Sequence, residues 1–141
     1  MTETDVRQQT LIELTRAVVR LMESWGLGAE QMSAALALPV QTGAATFYRF
    51  REGQEALPDE GTVLRRAQYM LRISDALRTT YPRNPEMAAH WIRRGHRRMG
   101  RRTPLDVILA GDEAGIVAVL SELDCTFSWD MTGSKADYRS T

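Results

Sequence analysis

Residues 58–82 read PDEGTVLRRAQYMLRISDALRTTYP, and this stretch decides the fold class. Val63, Ala67, Met70, Ile73 or Ser74, Leu77 and Tyr81 recur at three- and four-residue steps. That spacing lines one face of an α-helix and does not fit the alternation of a strand. Pro58, Asp59 and Glu60 read as the helix start, with proline early and acids in the first turn, where the helix macrodipole favours negative charge. Pro82 closes the helix, because its ring removes a backbone donor and collides with the preceding turn. A helix with one apolar stripe must bury it against other elements.

The same period continues on both sides. Toward the N-terminus, Leu11, Leu14, Val18, Leu21, Met22 and Trp25 form a stripe over residues 4–25, ended by Gly26 or Gly28. Residues 29–36 form a short run of helix formers stopped by Pro39. Residues 41–51 read as another short helix, with Thr42 as N-cap and Gly53 as stop. Downstream, Asn84-Pro85-Glu86 is a second start signal, opening a helix to about Arg94 that buries Met87, Ala88 and Trp91. A polar, arginine-rich connection spans residues 95–102. Thr103-Pro104-Leu105-Asp106 has the form of a capping box and opens a helix ending near Gly111. Asp112-Glu113 start a last helix carrying Ile116, Val117, Val119, Leu120 and Leu123, and residues 126–141 show no period. The expected class is all-α with five to eight helices. Its expected organisation is a helix-turn-helix-like region over 1–55, a small helical domain over 56–125 and a tail over 126–141.

Composition narrows the function classes. The chain has 141 residues, 43% hydrophobic and 26% charged, enough for one compact domain or two very small ones sharing a core. No apolar run approaches the ~18 residues of a membrane span, and the acidic, polar N-terminus is no secretory signal. Cys125 is the single cysteine and has no internal disulfide partner, which points to a reduced, cytoplasmic compartment. Eighteen basic and eighteen acidic residues cancel, yet their layout is polar. Residues 61–102 hold eleven arginines against Asp75 and Glu86, between two acidic flanks.

Catalytic and cofactor signatures are missing from the pattern. His90 and His96 are six residues apart, which separates them on a helix surface, and no histidine–cysteine–acid spacing suits a metal. Gly26-Leu27-Gly28 lacks the strand and third glycine of a nucleotide-binding turn. Asp112 and Glu113 fit capping better than acid–base work, and Cys125 fits a small buried side chain. No metal and no cofactor are expected. A non-enzymatic protein is expected; the catalytic alternative is a small helical enzyme using His90 or His96.

Residues 31–50 fit a helix-turn-helix in two registers. One starts at Gln31, places small Ala35 at the helix crossing and buries Ala34, Leu38, Val40, Ala45 and Tyr48. The other buries Phe47 and Phe50 and lengthens the turn by about two residues. In either, Gln41, Thr42, Thr46, Arg49 and Arg51 are the side chains able to meet operator DNA, within a segment that is net acidic. DNA reading by so small a helix implies a homodimer on two half-sites.

The order Arg65-Arg66-Ala67, Asn84-Pro85-Glu86-Met87-Ala88-Ala89-His90-Trp91-Ile92, Gly100-Arg101-Arg102-Thr103-Pro104-Leu105-Asp106-Val107-Ile108 and Val119-Leu120-Ser121-Glu122-Leu123 resembles the Xre/MbcA/ParS antitoxins over roughly residues 28–125. The Gly100–Asp106 turn, with Trp91 ahead of it, is the specific part. The resemblance implies a helix-turn-helix followed by a toxin-binding domain, in a type II antitoxin that neutralises a co-expressed toxin, commonly a RES-domain enzyme that consumes NAD. It also implies repression of the antitoxin's own operon. Toxin contact would then fall to Trp91, Arg94, Arg97, Arg98, Arg101 and Arg102, beside Arg93, which steer an acidic partner, with Trp129 and Tyr138 as aromatic anchors. The alternative is a solitary helix-turn-helix regulator whose second half serves dimerisation.

Overall fold

In the computed structural model, residues 2–132 are described, save the side chains of Arg98 and of residues 125–132. Seven α-helices and no strand are found among the described residues: α1 Glu3–Ser24, α2 Ala29–Leu36, α3 Ala44–Arg51, α4 Gly61–Thr80, α5 Pro85–Ile92, α6 Pro104–Leu109 and α7 Glu113–Thr132. A single 3-10 turn, Arg97–Met99, lies between α5 and α6. The all-α class holds.

The helix boundaries follow identifiable chemistry. Thr2 caps α1, its Oγ1 accepting from the Asp5 amide at 3.1 Å while Asp5 accepts from the Thr2 amide at 3.3 Å. Gly26, at φ 85°, ends the same helix in the left-handed conformation that glycine adopts without steric cost. Two starts differ from the sequence reading. α3 opens at Ala44 with Gly43 as N-cap, not Thr42, because residues 39–42 close a turn in which the Thr42 amide donates to the Pro39 carbonyl at 3.0 Å. α4 opens at Gly61, three residues after Pro58, so the acids precede the helix. Leu57 is buried and anchors the approach, and Asp59 pairs with Arg7 on α1 at 2.6 Å. At the far end, α7 runs on to Thr132, through residues in which no period was visible.

One hydrophobic core joins the helices. It draws Val18 and Met22 from α1, Trp25 from just beyond its end, Met32 and Leu36 from α2, Phe47 and Phe50 from α3, Met70, Ile73 and Leu77 from α4, and Trp91, Ile108 and Leu123 from the later helices. The most extensive packing is α4 against α7; α1 packs on α3 and α4, and α2 on α4 and α6. α4 is therefore the central element, consistent with its unbroken stripe. Met87 and Val117, expected inside, lie 39% and 37% exposed, because α5 and α7 turn Ile92 and Ile116 inward instead.

The first helix-turn-helix register is not adopted. Val40 is 81% and Tyr48 50% exposed, and Ala34 and Ala45 face solvent, although Ala35 and Leu38 are buried. Phe47 and Phe50 fill the core instead and meet edge to face at 5.4 Å, as the second register expects. The reason is payload: two phenyl rings three residues apart bury far more apolar area than Ala45 and a tyrosine with its hydroxyl.

Candidate functional site

The segment from α5 to α7 is built around a stiff loop. Pro85 sits at the first position of α5, although the Asn84 side chain does not cap it. α5 delivers Trp91 inward at 5% exposure, and its indole lies 4.8 Å from the His96 ring. His96 Nε2 stands 3.1 Å from the Trp91 carbonyl, and since a carbonyl only accepts, that nitrogen carries the proton. His96 is thus a brace for the loop, while His90 lies exposed on α5.

The loop then doubles back tightly. The His96 amide donates to the Arg102 carbonyl at 3.2 Å and the Arg101 amide to the His96 carbonyl at 2.8 Å. A Cβ added at Gly95 would lie 2.5 Å from the Arg101 carbonyl oxygen, so the two backbone stretches touch. Gly100 and Arg101 both take left-handed conformations, φ 65° and 68°, a strained choice for an arginine. Thr103 Oγ1 accepts from the Asp106 amide at 2.9 Å and starts α6, whose Pro104, Leu105 and Ile108 seal the loop to the core. A Cβ at Gly115 would meet Val107 at 2.9 Å, which sets how closely α7 passes α6.

What this scaffold presents outward is positive charge. Arg94, Arg97, Arg101 and Arg102 are all exposed, and none has an ion pair among the described residues; Arg102 reaches only the Asp106 carbonyl, at 3.4 Å. Arg93 is different, for its guanidinium is held by the Trp25 carbonyl at the end of α1. The side chains of Arg98 and Trp129, and all of Tyr138, lie outside the described residues. Trp91, buried, contributes almost nothing to the surface itself. Beside α5, a groove of ≈ 290 Å³ is lined by Leu21, Trp25, Leu77, Tyr81, Pro85 and Ala88 among others. None of these four arginines lines the groove, whose one cation, Arg78, pairs with Asp75.

The α3 residues sit otherwise. Gln41 is exposed, Thr42 and Thr46 half-buried. Arg49 donates to Glu55 at 2.9 Å and to the Thr46 hydroxyl at 3.1 Å, and Arg51 to Glu23 at 2.5 Å. Both guanidinium groups are thus neutralised within the chain.

The burial of Arg66 is not signalled by its charge. Arg66 on α4 is only 7% exposed, and its guanidinium donates to the Gly111 carbonyl at 2.8 Å and the Ala34 carbonyl at 3.4 Å, near the ends of α6 and α2. It lies on the buried stripe between Val63 and Met70, and that position was the available signal. Glu113, 4.0 Å from Arg66 Nε, bonds Arg65 at 3.0 Å and holds the Arg65 guanidinium above its ordinary range, chiefly through that hydrogen bond.

Comparison with known proteins agrees with this geometry. Residues 76–126 match the model of a family described as the antitoxin Xre/MbcA/ParS C-terminal toxin-binding domain. That span takes in the last turn of α4, α5, the arginine loop, α6 and most of α7, so this segment is similar to the toxin-binding domain of such antitoxins. No curated protein matches the chain. No helix among the described residues is long and apolar enough to cross a membrane, and no group of histidine, cysteine and acidic side chains among them is fit to hold a metal ion.

Proposed function

We propose that the protein neutralises a RES-type, NAD-consuming toxin in the cytoplasm by seating residues 76–126 over the entrance to the toxin's NAD pocket, without catalysis of its own. The observation that carries this is the set of unpaired arginines, Arg94, Arg97, Arg101 and Arg102, held on a stiff loop inside the matched segment. Free guanidinium groups on a rigid support steer an acidic partner and pair with its carboxylates at low ordering cost. Arg98 and Trp129 complete the proposed contact set, with Trp91 acting through the loop it braces. The groove beside α5 supplies the apolar burial that charge alone does not.

Repression of the operon would run through Gln41, Thr42, Thr46, Arg49 and Arg51. With Arg49 and Arg51 held by Glu55 and Glu23, operator binding by the free chain is weak. Co-expression with the toxin encoded in the same transcript tests the main proposal. Growth is restored and the two proteins purify together; toxicity that persists beside well-expressed, folded antitoxin contradicts it.

A further inference from the structure

Arg66 is a buried cation with one donor left over. Its side chain is 9% exposed, and Nη2 and Nη1 donate to the Gly111 and Ala34 carbonyls at 2.8 and 3.4 Å. Nε is buried without a hydrogen-bond partner, the one such side-chain nitrogen or oxygen among the described residues. An unpaired buried donor is costly, because it has given up water and gained nothing in return. The acceptor it lacks stands close. Glu113 Oε1, on the first residue of α7, is 4.0 Å away, about 1 Å beyond a hydrogen bond. The same carboxylate is turned instead to Arg65, whose Nε donates to Oε2 at 3.0 Å and whose Nη2 donates to Oε1 at 3.4 Å. Oε1 therefore sits between two guanidinium groups and is held loosely by the outer one.

Exposure brings the two positions of Glu113 near balance. The Arg65 side chain is 52% exposed, and an ion pair so well hydrated gains little. A pair with Arg66 would lie in drier surroundings, where the attraction is larger, and it would satisfy Nε. The grip of Arg65 is what keeps the carboxylate outward. From this we infer that Glu113 is a two-position carboxylate: when a carboxylate of a docked partner takes Arg65, Glu113 swings inward and closes on Arg66 Nε. The inference rests on the partner proposed above, the acidic surface of a toxin. It adds Arg65 to that contact from outside the matched segment, while Glu113 lies within it. Two effects drive the exchange in one direction. The incoming carboxylate replaces Glu113 on Arg65, and its charge repels Glu113 toward the buried cation. Docking thus fastens the first turn of α7 to α4 through a bond that the free chain lacks. The other exposed pairs have no such second position, since Arg66 is the only buried cation among the described residues.

The free chain tests the exchange without any toxin. In an ordinary ion pair, removing one member makes loss of the other cost less. Here the sign reverses. In Arg65→Gln the carboxylate closes on Arg66, so Glu113→Ala then lowers the folding equilibrium constant at least about threefold more than it does in the wild type, read by urea unfolding across the full cycle. Nuclear magnetic resonance gives a second readout. The Arg66 Nε proton moves downfield and exchanges more slowly in Arg65→Gln, and returns when Glu113→Ala is added. The purified toxin encoded beside this chain moves the wild-type signal the same way. A cycle of ordinary sign, or an Arg66 signal unmoved by Arg65→Gln, overturns the inference, and so does a complex that forms while that signal stays in place. A missing complex contradicts the proposed function and, with it, the partner assigned to Arg65, whereas the variants judge the two-position carboxylate by themselves.

Discussion

Gly95 illustrates how one atom sets the arginine loop. Its missing Cβ leaves room for the Arg101 carbonyl, which a methyl group would approach to 2.5 Å. Gly95→Ala should therefore cost roughly 1–3 kcal/mol by overpacking, measured by denaturant unfolding, and weaken toxin association more than its stability loss explains. Arg66 acts at the same scale. Arg66→Ala leaves the Gly111 and Ala34 carbonyls without their cation and should destabilise by about 1–3 kcal/mol. Neither Arg66 nor buried Thr15 was legible as a core residue, although both fall on apolar stripes. Thr15 Oγ1 donates to the Leu11 carbonyl and accepts from the Leu57 amide at 2.9 Å. Polar side chains are read as solvated unless a long-range backbone partner is known, and such partners lie 32 to 45 residues away here. Asp59 responds to pH with a definite sign. Its hydrogen bond from Arg7 holds the carboxyl below its ordinary range, so its small contribution is full above the usual carboxylate pKa and is lost as pH falls through the lowered one. A thermal melt of Asp59→Asn should match wild type at low pH and fall slightly below it at neutral pH.

Among the elements, α3 separates what periodicity decides from what it leaves open. Two registers fitted residues 31–50, because Ala45, Tyr48, Phe47 and Phe50 all pass as buried on a helix. Phenyl burial chose between them. Phe47→Ala should cost about 3–5 kcal/mol, while Tyr48→Ala, removing a half-exposed ring and one cation–π contact, should cost less than about 1 kcal/mol; paired unfolding curves read the difference. The long stripes of α1 and α4 were legible because their period repeats over five turns, and the Thr103 cap because threonine, proline and acid coincide. The α4 start was misplaced because Pro58 and two acids mimic a first turn when Asp59 in fact reaches across to Arg7. The conformation of residues 95–102 was not legible, since consecutive left-handed residues at Gly100 and Arg101 depend on bonds closed across the loop.

Across the whole molecule, a shared core and a segregated charge work together. Because α4 contacts the helices on both sides of it, the N-terminal helices and the segment over residues 76–126 should unfold in a single cooperative transition. The charge layout visible in the sequence persists in space with one refinement: among the described residues, the cations of α1, α3 and α4 with ion partners are Arg7, Arg49, Arg51, Arg65, Arg66 and Arg78, and Arg94, Arg97, Arg101 and Arg102 have none. An unpaired basic loop accelerates encounter with an acidic surface by roughly tenfold or more at low ionic strength and loses that advantage in salt. The most direct test is NAD consumption by the toxin encoded beside this chain, followed with wild-type protein and with Arg94, Arg97 and Arg101 replaced by glutamate. The account predicts that the wild type stops the reaction and that the substituted chain, still folded, inhibits slowly at low salt. Undiminished NAD consumption with wild-type protein present, or equal inhibition by the charge-reversed chain, would contradict it.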